Sequence, residues 1–198
     1  MSSNGAVVGV SDHGGWAVFV TVGGDGTLLD RRRVELVDDA LPALPHHHEG
    51  QLLPISQAVA LVERVRVCAE KHAALALETL ANTLPQIDAI ALRSCPQLPP
   101  TIAERITDYR ARNVADWVMY RNALACAAKA RGWAVHWYDA KSAQAKAGHL
   151  LELRTAIGAP WTKDHKLAMA LALEARPLLE RESGERVYRH RPRGKSSP

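Results

Sequence analysis

The chain has 198 residues, 25 Lys and Arg against 21 Asp and Glu, and a hydrophobic fraction of 47%, enough for one sizeable core and too apolar for a disordered chain. Charge interrupts every apolar run well before the roughly 18 residues a membrane span needs. Met1 to Gly5 has neither a basic start nor an apolar signal core, so the expected location is the cytoplasm with no membrane partner.

Cys68, Cys95 and Cys126 form no CxxC pair and are odd in number, which argues against a disulfide framework or a zinc ribbon and for buried thiols. A formal charge of +4 permits polyanionic partners. From Arg176 to Lys195 seven basic residues face three acidic ones. Residues 178–198 are therefore expected to be a basic, disordered tail behind one domain of residues 1–177, or else a nucleic-acid arm.

Ala6 to Ser11 is a short apolar strand, Asp12-His13-Gly14-Gly15 a turn, and Trp16 to Val22 a second strand, which together predict a hairpin. Gly23-Gly24-Asp25-Gly26 is another turn, and Arg32 to Val37 alternates as a half-exposed third strand. Leu41 to Pro54, with three prolines and His46-His47-His48, reads as a loop. Ile55, Val59, Val62, Ala69, Ala73, Ala76 and Leu80 mark a long amphipathic helix to about Asn82. Ile87 to Leu92 is a buried strand. Thr101 with Glu104 makes a capping box for a helical region that runs to Arg131, with Gly132 as its C-cap. Trp133 to Tyr138 is a fifth strand, and Thr162 opens a last helix that Pro177 should stop. The predicted order is βββαβαβα.

That order resembles the ribonuclease H-like superfamily, an α/β fold with a five-stranded mixed sheet flanked by helices. Gly9-Val10-Ser11-Asp12-His13-Gly14-Gly15-Trp16-Ala17-Val18 is similar to the first hairpin of Holliday-junction resolvase-like nucleases, where an Asp ends the first strand. Trp161-Thr162-Lys163-Asp164-His165-Lys166-Leu167-Ala168-Met169-Ala170 looks like their last helix, which carries an acid beside that Asp. The resemblance implies a nuclease that hydrolyses phosphodiesters of structured DNA or RNA, with Mg²⁺ or Mn²⁺ held by Asp12 and Asp164 and with His165 as proton carrier or as the group that orients the attacking water. Such folds bring a further acid from the fourth strand or first helix, whereas here the fourth strand ends Leu92-Arg93-Ser94-Cys95. Glu49, next to His47 and His48, is the substitute ligand, ahead of Glu63. Arg93, Lys163 and Lys166 are the candidate nucleic-acid contacts.

Each of these residues also has a plainer use. Asp12 suits a tight turn, and Asp164 suits a helix N-terminus. His46 to Glu49 could bind a transition metal or simply form a polar loop. Tyr109, Trp117, Tyr120 and Arg121 lie at helical spacing, as a stacking surface for bases or as core with a polar rim; Trp133 and Trp137 share a strand face and are expected to be structural. No GxxxxGK[ST], GxGxxG or GxSxG element occurs. The alternative function is a non-catalytic nucleic-acid or protein-binding module on a degenerate fold, and a nucleotide-binding fold of the actin and sugar-kinase type is the third. Apolar positions on the long helices are compatible with a homodimer.

Overall fold

The computed structural model describes residues 5–84, 86–139 and 158–189, with side chains as far as Arg176. Strands β1 (Ala6–Asp12), β2 (Trp16–Val22), β3 (Leu28–Glu35), β4 (Ile87–Arg93) and β5 (Ala134–Tyr138) form one sheet in the order β3-β2-β1-β4-β5. The hairpins β1-β2 and β2-β3 are antiparallel, while β1 pairs with β4 and β4 with β5 in parallel. This is the predicted mixed α/β sheet. β1, β2 and β4 are covered on both faces, which is why they read as continuous apolar runs rather than alternating ones. β3 is an edge strand, and Asp30 to Arg33 give it the charge that discourages pairing with another chain.

Helices α1 (Ile55–Thr83), α2 (Ile102–Thr107) and α3 (Tyr109–Ala130) cover one face, where Val8, Val10, Phe19, Ile90 and Leu92 meet Val62, Leu77, Tyr120 and Leu124. Helix α4 (Lys163–Arg189) covers the other, where Val7, Val18, Val20, Ala89 and Ala91 meet Ala168, Leu171 and Ala172. Small residues let α4 lie close. A Cβ on Gly9 would fall 1.8 Å from the Ala168 carbonyl oxygen, so this strand position must be glycine. Arg31 holds the approach to α4, donating to the carbonyls of Gly158, Ala159 and Pro160 at 3.0 Å each.

Four expectations change. The helical region after Thr101 is two helices, because Asp108 is extended and caps α3 by accepting from the Ala111 N–H at 2.7 Å. Pro177 does not end the last helix, which runs to Arg189: an internal proline removes one N–H, and Leu178 to Glu182 are helix formers. The basic segment from residue 190 onward lies outside the described residues. Of the three cysteines Cys68 is buried, but Cys95 is half-buried and Cys126 exposed. Trp137 is 42% exposed because β5 is an edge strand, whereas Trp133 is buried against α1 and α3. No helix among the described residues is long and apolar enough to cross a membrane.

If α4 depends on the bare backbone at Gly9, Gly9→Ala should lower the unfolding free energy by about 1–3 kcal/mol, the range for overpacking. Urea denaturation measures it, and an unchanged midpoint would contradict the close approach.

Candidate functional site

The predicted site residues Asp12 and Arg93 lie where β1 and β4 end. Consecutive strand residues point to opposite faces, so the last two residues of β1 serve different layers. Asp12 continues the Val8–Val10 series toward α3, and Ser11 continues the Val7–Gly9 series toward α4.

Asp12 is buried, its side chain 0% exposed, and two arginines hold it. Arg121, from α3, donates Nε to Asp12 Oδ2 at 2.8 Å and Nη1 to the Ser94 carbonyl at 3.2 Å. Arg93, the last residue of β4, places Nη2 3.3 Å from both carboxylate oxygens and from the Asp12 carbonyl. A buried carboxylate left alone costs several kcal/mol, so this pairing is what allows Asp12 to sit in the core. Two guanidiniums against one carboxylate leave the cluster net positive. An open depression of about 270 Å³ adjoins it, lined by Arg93, Pro96, Asn113, Val114, Trp117 and Arg121.

Asp164 belongs to a second cluster, on the α4 side. Its Oδ1 accepts from Ser11 Oγ at 2.9 Å and lies 2.8 Å from His13 Nε2. The His13 ring stacks on Trp16 at 3.9 Å between centroids, and Arg33 lies 3.9 Å over the far ring of that stack. Burial pushes the Asp164 carboxyl up, but the bonds from His13 and Ser11 and the nearby histidine charges outweigh it and hold the group below its ordinary value. Burial pushes His165 the other way, below its ordinary value, and the Arg31 charge adds to this against the opposing pull of Asp164. His165 Nδ1 faces the Thr162 hydroxyl at 2.8 Å and accepts from the Thr162 N–H at 3.3 Å, which closes the first turn of α4. The ring is buried against Trp161.

The other predicted positions are dispersed. Glu49 is exposed at the start of a short 3₁₀ turn (Glu49–Leu52), and Glu63 is paired with Arg66 on α1. His46 is buried, with Nδ1 2.7 Å from Asp116 Oδ1, and both the His46 and His47 N–H groups donate to that carboxylate. The histidine loop is thus pinned to α3. Lys163 is exposed and Lys166 half-buried on the first turn of α4. The stripe on α3 divides: Tyr120 is core and donates to the Ala43 carbonyl at 2.8 Å, Arg121 serves Asp12, and Tyr109 is 69% exposed.

A paired-metal centre needs carboxylates that converge with room for an ion. Asp12 and Asp164 lie on opposite faces with separate partners, and Asp12, Asp164 and Glu49 do not form one donor set among the described residues. A divalent ion about 5 Å from one guanidinium is repelled by about 6–7 kcal/mol at an effective dielectric of 20, so two arginines offset what a lone carboxylate offers. The residues around Asp12 fit an anion better than a cation.

Sequence reasoning did not give Arg121 this role. Its signal was a charged residue set between Tyr120 and the apolar run Ala123-Leu124-Ala125, a place that demands a buried partner. Nor was Ser11 singled out, although strict alternation puts it, rather than Asp12, beneath α4.

Asp12→Ala would strand Arg121 unpaired, and should destabilise the fold by about 3–5 kcal/mol in metal-free buffer. A carboxylate kept for metal would instead leave stability unchanged or raised on removal, so chemical denaturation distinguishes the two.

No family model matches this sequence, and no curated protein matches it. Among solved structures, Thermus thermophilus RuvC in complex with a Holliday junction substrate superimposes with a TM-score of 0.51 at 18% identity, covering 91% of this chain and 96% of that one. A second Thermus thermophilus RuvC structure gives 0.49 at 16% identity, covering 90% and 96%. With the strand order and the two covering layers, the first likeness establishes that this chain has the ribonuclease H-like fold in the form that RuvC takes.

Proposed function

We propose that the chain is a nucleic-acid-binding module of the ribonuclease H-like fold, holding a phosphate of structured DNA or RNA against Arg93 without cutting it. The observation that carries this reading is the buried Asp12 engaged by Arg121 and Arg93. Arg93 gives Asp12 only Nη2 and is 29% exposed, so the rest of its planar fork faces the adjoining depression. A guanidinium fork matches phosphate oxygens in pairs. Trp117 lines the same depression and offers a ring for a base, and Lys163 and Lys166 add charge at the start of α4. That a RuvC structure of the same fold contains a Holliday junction substrate supports branched DNA as the first ligand to try.

A second reading, metal-dependent phosphodiester cleavage, is favoured by Asp164. This carboxylate is partly exposed, is held below its ordinary value, and stands beside His13 and Ser11. Mg²⁺ or Mn²⁺ would then have to be taken on the α4 side of the sheet, without Asp12.

Anisotropy of a labelled four-way junction tests both. Affinity should fall steeply with salt, and Arg93→Ala should reduce the slope of log affinity against log salt by about one, the signature of one lost phosphate contact. Binding indifferent to salt and to Arg93→Ala would end the first reading. Product formed in Mn²⁺ and lost in Asp164→Asn would establish the second in its place.

A further inference from the structure

Just past the end of β3, three residues of different chemistry converge. Cys68 and His72 are one helical turn apart on α1, the i, i+4 spacing that puts two ligands on one face. Asp38, in the segment leaving β3, reaches over them. Its Oδ2 accepts from Cys68 Sγ at 3.3 Å, its Oδ1 lies 2.8 Å from His72 Nε2, and the three ligand atoms lie within 4.8 Å of one another. Cys68 is buried, the His72 side chain is 23% exposed and that of Asp38 is 58% exposed.

The arrangement of His72 is informative. Its Nδ1 lies 3.3 Å from the Glu35 carbonyl, which has no hydrogen to give, so Nδ1 carries the proton. Nε2 then faces the Asp38 carboxylate 2.8 Å away, a hydrogen-bond distance at which a shared proton suffices, and a metal ion would take that proton's place between the same two groups. A ligating histidine that donates its other N–H to a backbone carbonyl is the usual second layer of a metal site. Tetrahedral zinc, about 2.0–2.3 Å from N, O and S, would hold its ligand atoms about 3.3–3.7 Å apart. The three ligand atoms already lie within 4.8 Å of one another, and Asp38, with its side chain 58% exposed, is free to turn one oxygen toward an ion held by Cys68 and His72.

We propose that Asp38, Cys68 and His72 form a zinc site with a fourth position open to water. Thiolate and imidazole select a borderline-soft ion over Mg²⁺. On binding, the Cys68 S–H bond breaks and its proton leaves to solvent with any proton on His72 Nε2, while Zn–S, Zn–N and Zn–O bonds form; nothing is oxidised or reduced. The ion would fasten the β3 exit to α1. That exit also steadies the β1–β2 turn, since the Leu36 N–H donates to the Gly15 carbonyl at 2.7 Å, so the zinc would stiffen the turn that carries His13.

Titration of the full chain with Co²⁺ tests the site, because cobalt bound to a thiolate gives a charge-transfer absorption in the near ultraviolet. The wild type should develop this band with stoichiometric metal and lose it to added Zn²⁺. Cys68→Ser should abolish it, while Cys126→Ser and His48→Ala should keep it. Asp38→Asn, at an exposed position that leaves the core intact, should weaken Zn²⁺ binding at least about tenfold against a chromogenic chelator. No band in the wild type, a band that survives Cys68→Ser but not Cys126→Ser or His48→Ala, or unchanged affinity in Asp38→Asn would overturn the proposal.

Discussion

A carboxylate with no exposed side-chain surface must have its charge answered from within, and in this protein that requirement organises the edge of the sheet where β1 and β4 end. Asp12 sits at the end of the central strand, on the face covered by α1, α2 and α3, and its counter-charges come from two other elements. Arg121 ties α3 to β1 and to the Ser94 carbonyl just past β4, and Arg93 ties β4 itself. One buried ion cluster thereby fixes the mutual placement of a strand, its parallel neighbour and the helix above them. It also decides the electrostatic sign of the surface next to it. Two guanidiniums against one carboxylate leave a positive excess there, which suits an anion better than a divalent cation.

The opposite face follows a different rule, closeness rather than charge. Gly9 and the alanine-rich side of α4 let that helix approach the sheet, Arg31 secures the segment before it, and the approach brings Asp164 over Ser11 and His13. The two acidic residues that a reader of the sequence would pair are thus separated by the sheet. Each has its own partners in its own layer: Asp12 is the hub of an ion cluster, and Asp164 Oδ1 accepts from a hydroxyl and faces an imidazole. The Trp16 and Arg33 stack behind His13 restricts that ring further and links the cluster to the edge strand.

How much of this was legible depends on the range of the interaction. The order of strands and helices followed from apolar runs, turn residues and the Thr101–Glu104 box, all local signals, and it led to the right fold class. The break at Asp108 was also local, an N-cap visible in principle. What the sequence did not show is which distant side chain answers a buried charge. The pairing of Asp12 with Arg121 spans 109 positions and that of His46 with Asp116 spans 70. The sequence places Arg93 where a further acid is expected at the end of the fourth strand, but it does not show that Asp12 is its partner. The faces of Ser11 and Asp12 could have been told apart by alternation along β1, had the turn residue not drawn attention to the acid. Pro177 shows the reverse failure, a strong local signal overruled by the helix formers that follow it.

The most direct test of the central claim is a crystal structure of the full chain grown with Mn²⁺, with an anomalous difference map. Arg121 Nε should remain bonded to Asp12 Oδ2, Arg93 should stay beside the carboxylate, and no anomalous peak should lie within coordination distance of Asp12. A manganese peak shared by Asp12 and Asp164, with the two guanidiniums swung away, would contradict this arrangement and favour metal-dependent cleavage instead.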